Sequence, residues 1–250
     1  AAKMAHGDPW KIMVAFMIIT AFCSAFLDNV TTVLLMGPMT LTIANMLKIN
    51  PVPILLGQIF ASNIGGTMTL IGDPPNIMIG SKAGLSFMDF VVNLSPIVMV
   101  IMFATLVALK FMYGHKLKAK PEQQAQIMKF EARKAIHDMK TLVISLVVLF
   151  FVIMGFFLHG VIGYETGVVA MAGAVLLMFI TRAPVEEVIE TVEWPTIFFF
   201  VGLFIVVGGL EAAGVIEALA QSVLTMTQGN LMITGILLLW VAAIVSAFLD

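Results

Sequence analysis

Cysteine, histidine and charge are all scarce in this chain of 250 residues. The one cysteine, Cys23, cannot close an internal disulfide and reads as a small core residue. The four histidines, His6, His115, His137 and His159, fall at segment ends or in loops, which argues against a metal cluster. No His-Glu-x-x-His motif occurs, so zinc-peptidase chemistry lacks its ligands. No phosphate-cradling glycine loop occurs either, so any primary energy source would have to come from a partner. A net charge of −2 leaves no footprint for nucleic acid. No cleavable signal peptide is visible in the opening Ala-Ala-Lys-Met-Ala-His-Gly-Asp.

Apolar residues fill the space. They make up 60% of the chain against 11% charged, with a mean hydropathy of +1.06. Soluble domains keep charged residues near about a quarter. The expected class is therefore all-α: a polytopic transmembrane helical protein, integral to the membrane and multi-pass, with the cell (inner) membrane the expected location. The chain does not begin with Met and stops at Asp250 directly after an apolar run. A charge and a free carboxylate there would cost several kcal/mol in lipid, so a fragment of a longer chain is expected.

One stretch organises the rest. Ser62 to Asn76 carries Gly65, Gly66, Gly72, Pro74 and Pro75 inside an apolar segment running from Pro53 to Ser81. Proline lacks the N–H and glycine weakens a helix interior, so a continuous helix is not expected. The flanks are too short to cross about 30 Å of hydrocarbon separately at about 1.5 Å per residue. Broken backbone at membrane depth is tolerated where it is buried in protein or lines a watery cavity, and transporters build ion sites there. Asn63, Thr67, Thr69, Asp73 and Asn76 mark the break.

Three regions follow. Residues 1–113 form a first repeat: a hairpin over 10–47 with Asp28-Asn29-Val30-Thr31-Thr32 at its tip, the broken helix over 53–82, and a span over 90–113. The second arm, Val33 to Leu47, would reach only about 22 Å, which favours a re-entrant hairpin slightly over two spans. Residues 114–140 are a polar linker. With Lys110, this stretch carries eight of the thirteen basic residues, so it is expected on the cytoplasmic side. Its Glu122 to Met139 portion suits an amphipathic helix. Residues 141–250 form a second repeat truncated at its own tip. Glu186, Glu187, Glu190 and Glu193 read as a solvated surface helix before Trp194-Pro195, not as a carboxylate site.

The two repeats share words. Ser24-Ala25-Phe26-Leu27-Asp28 recurs as Ser246-Ala247-Phe248-Leu249-Asp250, and Gly7-Asp8 aligns with Gly229-Asn230. Counting spans in both directions from the basic linker makes the two copies enter from opposite faces. That is an inverted-topology repeat, an architecture of secondary transporters.

These residues carry a resemblance. Ser24 to Thr32, Phe60-Ala61-Ser62-Asn63-Ile64-Gly65-Gly66-Thr67 and Ile71-Gly72-Asp73-Pro74-Pro75-Asn76-Ile77 resemble the ion transporter superfamily. Glu193-Trp194-Pro195-Thr196 and Gly208-Gly209-Leu210-Glu211 are similar to the same branch: arsenite permeases, NhaD-type antiporters and the melanosomal P-protein, with a citrate-transporter-like domain. The resemblance covers nearly the whole chain. It implies a secondary active transporter moving a small anion or cation by alternating access, with sodium or protons as coupling ion and no other cofactor. It also implies a second tip and a second broken helix beyond Asp250. The Ser-Asn-Thr tip signature of related dicarboxylate carriers is replaced here by Asp28-Asn29-Val30-Thr31.

The expected site combines Asp28, Asn29, Thr31 and Thr32 of the tip with Asn63, Gly65, Gly66, Thr67, Asp73 and Asn76 of the break, and with Asp250 of the second tip. Asn29, Thr31, Asn63, Thr67 and Asn76 would supply neutral ligands. Asp28 and Asp73 would be intramembrane carboxylates able to trade protons for sodium, or simply helix caps. The expected partners are the bilayer, a small inorganic ion or carboxylate, and a second copy in a homodimer. Two rivals stand beside the carrier. One is a passive anion channel of the same fold. The other is an intramembrane aspartyl protease, disfavoured because Leu70-Ile71-Gly72-Asp73 lacks the Gly-x-Gly-Asp pattern.

Overall fold

The computed structural model describes residues 3–129 and 138–249, and among these it contains helices and no strand. Four helices are long and apolar enough to cross a membrane: Asn29–Leu47, Phe87–Tyr113, Met139–Leu158 and Trp194–Ala212. Further apolar helices are shorter. The chain divides into two compact units, Ala1–Ala183 and Pro184–Asp250.

In the first unit α1 (Pro9–Ser24) starts on Pro9 and is capped by Asp8, whose Oδ1 accepts from the Lys11 N–H at 2.9 Å. α2 (Asn29–Leu47) starts four residues before the apolar run because the Asp28 carboxylate caps it and draws Asn29 to Thr32 into the helix. It therefore has 19 residues and reaches about 28 Å, close to the core thickness, so the length argument for a re-entrant arm weakens. α3 (Val52–Gly66) and α4 (Pro74–Ala83) are the two halves of the expected broken helix, separated at Thr67–Asp73. α5 (Phe87–Tyr113) begins three residues earlier than the apolar pattern suggested. Ser86 and Asp89 form a reciprocal capping box there, which pulls the polar connection into the first turn.

The packing register is unusually easy to read. Met13 and Met17 lie against Gly57, Ala21 against Gly65, and Ala25 bonds Thr69. Both helices advance together along these contacts, so α1 and α3 run parallel. The Thr40–Gln58 and Asn29–Asn63 contacts run in opposite senses along the two chains, so α2 is antiparallel to α3. α5 returns antiparallel to α1: Phe87 at its start stacks on Phe26, while Met102, Leu106 and Tyr113 pack into the cluster around Ile12. Lys11, Lys48, Lys110 and Lys116 thus lie toward the end of the bundle where α1 begins. The hairpin tip and the break lie toward the other.

α6 (Pro121–Lys129) is a short helix inside the expected amphipathic stretch, and its buried Ile127 joins the cluster around Ile12. The remainder of that stretch, through residue 137, lies outside the described residues. α7 (Met139–Ile162) and α8 (Thr166–Thr181) form an antiparallel pair held close by Gly155 against Val169 and Gly173 against Val152. α7 absorbs part of the expected outer turn.

The second unit contains α9 (Val185–Glu190), α10 (Trp194–Ala212), α11 (Val215–Met226) and α12 (Leu231–Leu249). Trp194 Nε1 donates to the Ile189 carbonyl at 3.0 Å and ties α9 to α10. Gly214, at φ +75°, turns the chain into α11. No residue of α10 or α11 is buried.

Candidate functional site

The hairpin tip and the helix break meet, and the contact is made of backbone as much as side chain. A Cβ added to Gly65 would fall 2.2 Å from the Ala21 carbonyl oxygen, and one on Gly72 would fall 2.5 Å from the Gly66 oxygen and 2.7 Å from the Ser24 oxygen. Only glycine lets α1, the end of α3 and the unwound segment approach so closely. Gly66 faces the Gly72 carbonyl in the same way.

Side chains then lock the contact. Ser24 Oγ donates to the Ser62 carbonyl at 2.8 Å, in the buried interface. Thr69 Oγ1 donates to the Ala25 carbonyl and accepts from the Gly72 N–H at 3.1 Å. Asn76, buried at the start of α4, reaches back with Nδ2 to the carbonyls of Thr69 at 2.8 Å, Thr67 at 3.2 Å and Gly66 at 3.4 Å. Unwinding a helix leaves carbonyls without intrahelical donors. Asn76 supplies the donor that the break removed.

The carboxylates and amides occupy the rim. Asp28 Oδ2 accepts from the N–H groups of Val30 at 3.0 Å and Thr31 at 3.1 Å, with the Thr31 hydroxyl at 3.5 Å. Asn29 Nδ2 donates to Asn63 Oδ1 at 2.9 Å, joining tip to break through side chains alone. Thr67 is exposed and its hydroxyl donates to the Asn63 carbonyl at 2.9 Å. Asp73 is half-buried at the N-cap position of α4 in extended conformation, yet its side chain makes no capping bond. Thr32 is buried one turn into α2. Asp250 lies outside the described residues.

Four helix ends converge here. The C-terminal ends of α1 and α3 present carbonyls and partial negative charge; the N-terminal ends of α2 and α4 present partial positive charge. The positive ends are largely occupied. The first amides of α2 are bound by Asp28, and α4 opens on Pro74-Pro75, which have no N–H to offer. The rim of the contact is lined by carboxylate, amide and hydroxyl groups.

The sequence reading named most of these residues, but it omitted Thr69 from the ligand set and missed Ser24, Ser62 and Gln58. All four are buried, and Ser24 and Gln58 are isolated polar residues in apolar helices, which was the available signal.

Comparison with known proteins decides the family. The sequence model described as "Citrate transporter" matches residues 1–250. The chain belongs to the citrate transporter family. It is 41% identical over 250 residues to an uncharacterized transporter of Mycobacterium tuberculosis (strain CDC 1551 / Oshkosh), covering all of this chain and 58% of that protein. It is 41% identical over 249 residues to the 46 kDa membrane protein of Mycobacterium leprae, covering 100% of this chain and 58% of that one. It is 29% identical over 248 residues to the magnetosome protein MamN of Magnetospirillum gryphiswaldense, covering 99% and 57%. The chain thus spans somewhat more than half the length of these relatives. With its apolar helices, this member of a transporter family is an integral, multi-pass membrane protein.

Proposed function

We propose that the protein is a secondary active transporter in which the tip–break site holds a monovalent coupling cation, sodium or a proton, while the cargo is a small anion. The observation that carries this reading is the occupancy of the helix N-termini. A site built to bind an anion would leave the α2 amides free, as helix N-terminal anion sites do. Here Asp28 fills them with the protein's own carboxylate. The oxygen-rich rim suits a hard cation: the Asp28 and Asp73 carboxylates, the Asn29 and Asn63 side-chain amides, the Thr31 and Thr67 hydroxyls, and the carbonyls of the break.

The family description makes a small carboxylate the first cargo to test. A passive anion channel would show neither gradient coupling nor counterflow. The inverted repeat supports alternating access between two such half-sites. A homodimer and an inner-membrane location complete the proposal.

The test is flux in proteoliposomes containing the full-length gene product. Uptake of a labelled small carboxylate is expected to follow an inward sodium or proton gradient and to show counterflow. Asp28→Asn keeps the cap, since asparagine caps as well as aspartate, but removes the charge. It should uncouple flux from the cation gradient at normal expression. Gradient-independent flux in the wild type would contradict the carrier reading.

A further inference from the structure

Below the site, the interface of α1, α2 and α3 is polar over two further turns. The Ser24–Ser62 bond marks the first. Because α1 and α3 are parallel, one turn back along both sets Thr20 at the level of Gln58, and the Thr40 hydroxyl donates to Gln58 Oε1 at 2.8 Å there. Thr32 lies along α2 between its contacts at Asn29 and Thr40. Thr20, Ser24, Thr32, Thr40, Gln58 and Ser62 are all at most 1% exposed. Beyond them the seam ends in fully buried Ile12, Met13, Met17, Leu47 and Ile54.

Polar side chains between membrane helices often serve as interhelical glue. The Ser24–Ser62 and Thr40–Gln58 bonds do so, but three atoms do not. Thr20 Oγ1, Thr32 Oγ1 and Gln58 Nε2 are buried with no hydrogen-bond partner. The contrast with other helical threonines is direct. Thr42, Thr67, Thr105, Thr181, Thr225, Thr227 and Thr234 each donate to the carbonyl four residues back. Thr20 and Thr32 forgo that bond and hold their hydroxyls in the interface. A buried donor with no partner is costly, and an amide and two hydroxyls within one three-helix interface have the chemistry that holds internal water.

We propose that Thr20, Thr32 and Gln58 hold internal water, forming a hydrated seam that runs from the tip–break site toward the basic end of the bundle and stops at the apolar seal around Met13 and Met17. The seam gives the site an inner water reservoir. Its existence does not depend on which ion is carried. A wet seam with no cation effect at Asp28 would leave this inference standing and remove the coupling-cation reading.

The test is radiolytic hydroxyl-radical labelling of the full-length protein in lipid nanodiscs, read by mass spectrometry in ¹⁸O water. Radicals formed from bound water label neighbouring side chains that bulk oxidants cannot reach. Met17 is fully buried and lies one turn from Thr20. It should be labelled within the radiolysis pulse and remain unmodified by hydrogen peroxide in the dark. Thr20→Val, which keeps the shape, and Gln58→Leu should each reduce that label several-fold. Thr20→Val should also lower the melting temperature, whereas in a dry interface it would raise it by removing an unpaired hydroxyl. An unlabelled Met17 in the wild type, or a label that neither variant changes, would overturn the proposal.

Discussion

The turn that leads into α1 and the turn that leads into α12 have the same backbone. His6 and Gly7 stand at φ 50° and 71°; Gln228 and Gly229 stand at 52° and 74°. Asp8 and Asn230 then cap their helices through Oδ1, and the hydrogen bonds correspond. Asp8 N–H donates to Ala5 as Asn230 donates to Thr227, and Ile12 donates to Asp8 as Thr234 donates to Asn230. Yet α1 has a face of fully buried residues, and the described side chains of α12 are exposed or half-buried. Local sequence therefore writes the turn, and partner helices write the burial. α1 has α2 and α3 against it within its own unit. The first unit holds the contact of tip and break; the second holds the same turn at the start of α12.

The largest effect expected from this contrast comes from glycine. Gly65→Val forces a side chain into the Ala21 carbonyl and should cost more than about 3 kcal/mol, since backbone cannot yield as a side chain can. Gly235 in α12 has nothing within 4 Å of an added Cβ. Gly235→Val should stay within about 1 kcal/mol of wild type. Thermal unfolding in detergent, read by fluorescence-detected size exclusion, measures both. Equal losses at the two positions would break the comparison.

Next is Asn76→Ala, which leaves the carbonyls of Gly66, Thr67 and Thr69 without their side-chain donor. A loss of about 1–3 kcal/mol is expected, with faster proteolysis at residues 67–73. The caps come third. Asp8→Ala and Asn230→Ala should each cost about 0.5–2 kcal/mol, Asp8 losing one capped N–H and Asn230 two. Paired melting curves measure both.

The smallest effect is at the start of α7. The Thr141 hydroxyl, followed by the Thr141 N–H, holds the fully exposed Asp138 carboxyl below its ordinary pKa. A depressed folded value means that the capping contribution is present above the ordinary carboxylate range and is lost as pH falls through the folded value. Amide exchange at Lys140 and Thr141 should accelerate on acidification after correction for intrinsic rates, and Asp138→Asn should remove that pH dependence.

Much of this was legible beforehand. Gly65, Gly66, Gly72, Pro74 and Pro75 announce the break because their effect on a helix is local, and the break falls at Thr67–Asp73. The tip and the break meet as expected, at Asn29 and Asn63. Two things were not legible. The N-cap at Asp28 lengthens α2 at the expense of the expected tip, because a single carboxylate outweighs the hydropathy pattern at a helix end. The second is that Asn76 turns its nitrogen inward to the carbonyls of the break. Whether an amide braces backbone or faces a ligand depends on tertiary geometry that no spacing encodes. Gly65 and Gly66 likewise read as part of the site and act by letting helices touch. This tightness leaves exposed Thr67 as the accessible probe position beside the break.

The central claim is that this half-site receives a cation. Its most direct measurement is the rate of thiol modification of Thr67→Cys in the full-length protein with Cys23→Ala, titrated with sodium and with protons against choline. Several-fold slowing by sodium or by acid, after correction for thiolate ionisation, is predicted, and Asp28→Asn should abolish it. A rate indifferent to both cations but slowed by small anions would contradict the claim.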